Sequence, residues 1–127
     1  MTAKVVAFSS ATEGVTGLAS LLAPSVVTQL LLGTDLSGAG PLVVRCFGVA
    51  LVAMAIACWP SDTRGEPSMQ GVRALVLYNA MIAGLLGYAG AALHLGGPLL
   101  WPAVVVHAIV AVLLVAAGRA RGTATSA

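Results

Sequence analysis

Residues 42–59 read Leu-Val-Val-Arg-Cys-Phe-Gly-Val-Ala-Leu-Val-Ala-Met-Ala-Ile-Ala-Cys-Trp. At ~1.5 Å per helical residue this run is about as long as a bilayer's hydrocarbon core is thick. One guanidinium, Arg45, interrupts it near its start. A charge of this kind costs roughly 2.5–3.5 kcal/mol at the centre of a span and less near an interface. The stretch therefore predicts either a polar partner elsewhere in the chain or a route by which Arg45 snorkels to the membrane surface.

The remaining composition agrees with a membrane setting. Of 127 residues, 59% are hydrophobic and 8% are charged, against roughly 25% charged in an average soluble domain. With a mean hydropathy of +1.02, a chain this small has too little polar surface to cover a soluble globule. The length suits one domain. A formal charge of +2, scattered and without interleaved aromatics, gives no footing for nucleic acid. Cys46 and Cys58 lie ~18 Å apart on one helix, beyond disulfide reach, and are expected to be small buried hydrophobes.

Taken in order, the chain predicts spans over residues 5–23, 42–59, 72–95 and 99–117, followed by a polar tail over 118–127. Lys4 ahead of an apolar stretch suggests a signal peptide. However, Ser9, Ser10, Thr12 and Glu13 dilute that stretch, and Pro24 follows the candidate cleavage position Ala23. A retained first span is the better reading. Pro24 should disturb the helix, leaving residues 25–32 to complete a kinked span or to lie along the surface. Residues 33–41 are a Gly/Ser/Pro loop, residues 60–70 hold the charge cluster Asp62, Arg64 and Glu66, and Gly96-Gly97-Pro98 is a tight turn. Trp59 and Trp101 suit interfacial anchors. Lys4, Arg64, Arg73, Arg119 and Arg121 fall at the N-terminus, the second loop or the C-terminal tail, and neither the Asp35 loop nor the Gly96 turn holds any Lys or Arg, so both termini are expected in the cytoplasm of a bacterial inner membrane.

Small and polar residues at helical spacing mark the expected packing faces. These are Ser9, Glu13, Gly17, Ser20 and Pro24 on the first span, and Arg45, Gly48 or Val49, Ala53 and Ala57 on the second. The third offers Ala83, Gly87 and Ala91, with Ala80, Gly84 and Tyr88 beside them; Gly84, Gly87 and Gly90 read as helix contacts. The fourth shows Ala103, His107, Ala111 and Gly118. The fold expected is all-α, an integral membrane antiparallel four-helix bundle.

Within it, Glu13, Arg45, Tyr78, Asn79 and His107 form the candidate intramembrane polar cluster. Glu13 and Arg45 have opposite signs but differ in depth, so a direct pair needs both side chains to reach. His107 in mid-helix serves either as a hydrogen-bonded structural imidazole or as a proton or ligand contact. His94 and His107 lie near 9 Å apart along the membrane normal, a poor match for two haem ligands. No Cys/His/carboxylate cluster supports a metal, and no cofactor is expected. The glycines of the third span sit in a helix and do not form a phosphate-binding loop.

Leu22-Ala23-Pro24 at the end of the first helix, a short segment after it, Arg45-Cys46-Phe47-Gly48 early in the second and Val106-His107-Ala108 in the fourth resemble small bacterial four-helix proteins of the DoxX-like group. That resemblance implies a four-helix membrane fold with a loose link to quinone-dependent oxidation or accessory subunits. Thr12-Glu13-Gly14 in a chain of this length also resembles the small multidrug-resistance exporters, whose first-helix glutamate exchanges protons for a cationic drug. Against that stand few aromatics and the presence of Arg45. Three readings follow: a binding or accessory protein with a pocket for a lipid-like or quinone-like ligand or a partner; a proton-coupled exporter using Glu13; and a membrane isomerase or oxidoreductase using Glu13 and His107. The expected partners are the bilayer, a second copy or partner membrane subunit, and a hydrophobic small molecule.

Overall fold

Pro24 divides the N-terminal third of the chain into two helices, since it has no N–H to continue the first and suits the opening turn of the next. The computed structural model describes residues 2–60 and 67–124, with side chains described up to residue 119. Its helices are α1 (Thr2–Leu22), α2 (Pro24–Leu32), α3 (Gly40–Cys58), α4 (Met69–Ala91) and α5 (Leu100–Ala124). No strand occurs among the described residues. α1, α3, α4 and the Leu100–Arg119 part of α5 are each long and apolar enough to cross a membrane, as in a multi-pass membrane protein.

Several boundaries differ from those expected. The first helix begins at Thr2 rather than residue 5. The third span was expected over 72–95 but runs Met69–Ala91, because Ser68 caps it by accepting the Gly71 N–H at 3.0 Å. At its far end His94 takes a left-handed φ of 54° and the chain leaves the helix. The tail over 118–127 is helical as far as Ala124: hydropathy falls at Arg119, but Ala and Arg remain good helix formers. The cluster of Asp62, Arg64 and Glu66 and the side chain of Arg121 lie outside the described residues.

Residues 25–32 neither extend the first span nor stand alone. α2 ends on Gly33, whose left-handed φ of 68° lets its N–H reach the Gln29 carbonyl at 3.0 Å. The remaining carbonyls of that last turn are met by the 96–99 segment. Gly96 donates to Leu32 at 3.1 Å, Gly97 to Leu31 at 3.1 Å and Leu99 to Leu30 at 2.8 Å. A Cβ on Gly97 would collide with the Gln29 and Leu30 oxygens. The Gly-Gly-Pro segment is thus a docking strip for α2 as well as a turn.

α1 packs along α3 and α4 along α5, and the two pairs meet chiefly through α1 and α5. The tightest crossing is reciprocal. A Cβ on Gly17 would stand 2.8 Å from the Gly48 oxygen, and one on Gly48 would stand 2.7 Å from the Gly17 oxygen. Val6, Cys58, Val72, Leu75, Val110 and Leu114 form the apolar core.

The packing faces fall partly as expected. All five residues of the α1 stripe (Ser9, Glu13, Gly17, Ser20, Pro24) are buried, the last at the start of α2. On α3 the buried face is Gly48, Leu51, Ala55 and Cys58, while Arg45, Ala53 and Ala57 are exposed. Cys46 is also exposed, contrary to its expected burial. On α4 the core takes Val72, Leu75 and Asn79. Ala80, Gly84, Tyr88 and Ala91 are exposed, and a Cβ on Gly84 or Gly87 would meet nothing within 4 Å; only Gly90 makes the expected contact, on Leu100 and Trp101. Ala83, four residues from Asn79, shares its face and is half-buried, as is Gly87, whereas Ala80, Gly84, Tyr88 and Ala91 turn outward. The face that satisfies the amide internally is the one buried.

Candidate functional site: a polar cluster between two helix pairs

Three helices deliver polar side chains to one interior point. Glu13 lies ~17 Å along α1 from Thr2, Asn79 ~15 Å along α4 from Met69, and His107 ~18 Å along α5 from Arg119. These ends lie on the same side, so the three residues share one level, half-way along the helices. Glu13 and Asn79 are each 1% exposed. The His107 side chain is 13% exposed. The cluster sits where the α1–α3 pair meets the α4–α5 pair.

Asn79 organises it. Its Nδ2 donates to the Leu75 carbonyl at 2.8 Å and to Ser9 Oγ at 3.1 Å. A backbone carbonyl only accepts, so the Leu75 bond fixes which end of the amide carries nitrogen. Asn79 Oδ1 then faces His107 Nδ1 at 2.8 Å. An oxygen acceptor there requires that Nδ1 carry the proton. In the neutral ring Nε2 is therefore the free lone pair.

Glu13 completes the cluster with part of its bonding capacity unused. Its Oε1 lies 3.8 Å from His107 Nδ1. That is ion-pair range when the ring is protonated, and too long for a hydrogen bond. Its Oε2 is buried with no hydrogen-bond partner, as is the hydroxyl of Ser10 three residues earlier. Tyr78 presents its ring edge-on to His107, with centroids 5.8 Å apart and planes at 77°, and its phenol approaches the Glu13 carboxyl. A carboxyl and an imidazole this close, in surroundings this dry, attract each other whenever the ring is protonated, and together they can receive a polar group from a guest.

Arg45, named with this group from the sequence, stands apart. Its Nε donates to the Leu21 carbonyl at 3.2 Å. Leu21 is eight residues, about 12 Å, further along α1 than Glu13. The carbonyls of a helix's last turn have no partner within the helix, and α1 ends at Leu22 where Pro24 breaks the ladder. A guanidinium there also complements the negative end of the α1 dipole. Arg45 thus closes the broken end of α1 and does not pair with Glu13.

The remaining expectations are placed as follows. His94 is exposed in the turn after α4, well away from His107. Among the described residues, no three His, Cys, Asp or Glu side chains gather as metal ligands would. Ser9 is the cluster member that sequence reasoning assigned only to a packing stripe. Its spacing of four residues from Glu13 was the signal that both share a face. No protein-family model matches the chain, and neither the curated proteins nor the solved structures contain a match to it.

Proposed function

We propose that this chain inserts as an antiparallel four-helix bundle with both termini in the cytoplasm of a bacterial inner membrane. In this reading it acts as a membrane-embedded binding or accessory protein of the DoxX-like kind, and Glu13, Asn79 and His107 at the bilayer midplane are its working site. One observation carries the reading: the Glu13 carboxyl is buried half-way along α1 with Oε2 unpartnered and Oε1 3.8 Å from His107. Ionisable groups at this depth are costly, and where they are kept they mark pathways, relays or ligand counter-groups. The fitting guest is a hydrophobic molecule with a polar head, lipid-like or quinone-like, whose hydroxyl donates to Glu13 Oε2 or His107 Nε2, or whose carbonyl accepts from a protonated Glu13 Oε2.

The test is binding of a short-chain quinone to the purified protein in nanodiscs. Glu13→Gln and His107→Leu should each weaken it at least tenfold, and liposomes carrying the protein should show no proton flux. Binding that is equal in both variants and the parent removes the reading.

A second reading, proton-coupled export through Glu13, is favoured by the position of Arg45. With Arg45 held at Leu21, no permanent cation among the described residues pairs with the carboxyl that would meet a cationic drug. It expects drug-stimulated proton movement that Glu13→Gln abolishes, and unchanged transport in that variant would eliminate it. An isomerase or oxidoreductase using Glu13 and His107 as acid and base rests on the same pair and ranks third.

A further inference from the structure

We propose that the cleft between α4 and α5, at the end bearing Arg73 and Arg119, is a binding site for an anionic phospholipid. This site is separate from the Glu13 cluster, and only insertion in a bilayer is common to the two proposals.

The cleft has a volume of about 510 Å³, and both arginines line it, Arg73 from the first turns of α4 and Arg119 from α5. A second hollow of about 380 Å³ shares Val76, Ala80, Val115 and Arg119 with it. Together they make an apolar trough leading away from two guanidinium groups. The trough follows α4 from Arg73 to Ala80, ~10 Å. That length holds the upper part of an acyl chain while the headgroup stays with the arginines.

Charge identifies the occupant. Guanidinium groups hold phosphate oxygens through paired N–H donors, and basic pockets between membrane helices bind anionic headgroups. Among the described residues the acidic side chains are Glu13, which is inside the protein, and Asp35, which is at the opposite end and bound by Gln29 at 3.0 Å. Neither lies at this end, and Asp62 and Glu66 lie outside the described residues. A neutral lipid would fill the trough but gain little from the arginines. A phosphatidylglycerol-type lipid satisfies both halves.

The experiment measures lipid retention by the full chain in neutral detergent, using native mass spectrometry with phosphatidylglycerol, phosphatidylcholine or soluble glycerol phosphate. Phosphatidylglycerol should be retained at least fivefold more strongly than phosphatidylcholine, and glycerol phosphate should not bind measurably. Arg73→Gln and Arg119→Gln should each cut the anionic preference roughly fivefold. Lys4→Gln, which alters a different cleft between α1 and α5, should leave it intact. Gly118→Leu keeps both charges and fills the trough. A Cβ at Gly118 meets nothing within 4 Å, so this variant should fold and still lose retention. An anionic preference that survives loss of both arginines overturns the proposal. Equal loss in Lys4→Gln, unchanged retention in Gly118→Leu, or glycerol phosphate binding as well as the lipid would do the same.

Discussion

Asn79 and His107 stand in a fixed donor–acceptor order: Asn79 Oδ1 accepts from His107 Nδ1 at 2.8 Å because the Asn79 amide nitrogen is committed to the Leu75 carbonyl. This one relationship sets the tautomer of the imidazole and points its chemistry through Nε2. It also ties α4 to α5 at the level where Glu13 enters from α1, so the geometry of the site depends on a residue with no charge of its own.

In Asn79→Leu the Ser9 and His107 bonds are both lost. Interhelical hydrogen bonds in membranes average about 0.6 kcal/mol and reach about 1.7, so the variant should lose about 1–2 kcal/mol in a detergent unfolding titration. The ring nitrogens provide a readout that stability alone does not. In the parent protein, ¹⁵N spectra of neutral His107 should show the proton on Nδ1. A predominant Nε2–H form would contradict the assignment.

Glycine positions in the same fold should respond in opposite directions. Gly48→Val forces side-chain atoms into the Gly17 oxygen and Leu21. Overpacking of this kind costs about 1–3 kcal/mol. Gly84→Ala and Gly87→Ala place a Cβ in open space and remove a poor helix former, with a gain of about 0.5–1 kcal/mol each. Thermal unfolding of the three single variants would show the split, and a destabilised Gly84→Ala would mean that something unseen covers that face.

Arg45→Met should loosen the end of α1 without touching the polar cluster. The guanidinium bond to Leu21 is exposed, so its loss should cost no more than about 1 kcal/mol. Hydrogen exchange should speed up over residues 21–26, where Pro24 already interrupts the ladder, and stay unchanged around Glu13. Faster exchange at Glu13 would show that Arg45 reaches the cluster after all.

His94 holds a left-handed φ of 54° that a glycine would adopt without a steric penalty. A non-glycine residue in this region costs roughly 1–2 kcal/mol, part of which glycine returns as unfolded-state entropy. His94→Gly should therefore raise stability by about 0.5–1 kcal/mol and leave ligand binding or transport unchanged. A fall in stability would mean that the exposed imidazole makes a bond of its own.

Residues 42–59, with their length and near-absence of charge, and three further runs like them, were enough to determine that this is a helical protein with four membrane-length segments. Much of the first helix's buried face was legible, because Ser9, Glu13, Gly17 and Ser20 recur every three or four residues and their spacing points one way. α3 and α4 carry no comparable contrast. Beyond Arg45 every face of α3 is apolar, so the choice of Gly48, Leu51, Ala55 and Cys58 over Ala53 and Ala57 came from how closely its backbone could approach Gly17. On α4 the small residues and Asn79 together offered more than one face to the interior. The amide was buried because Ser9, Leu75 and His107 could satisfy it together. Arg45 shows the same limit: its charge demanded a partner, but that partner is a backbone carbonyl freed by a proline 21 residues earlier in the chain. Sequence determines which groups need partners. Only the tertiary structure brings particular partners within hydrogen-bonding distance of one another, because a hydrogen bond depends on separation in space and residue spacing reports it only along one helix.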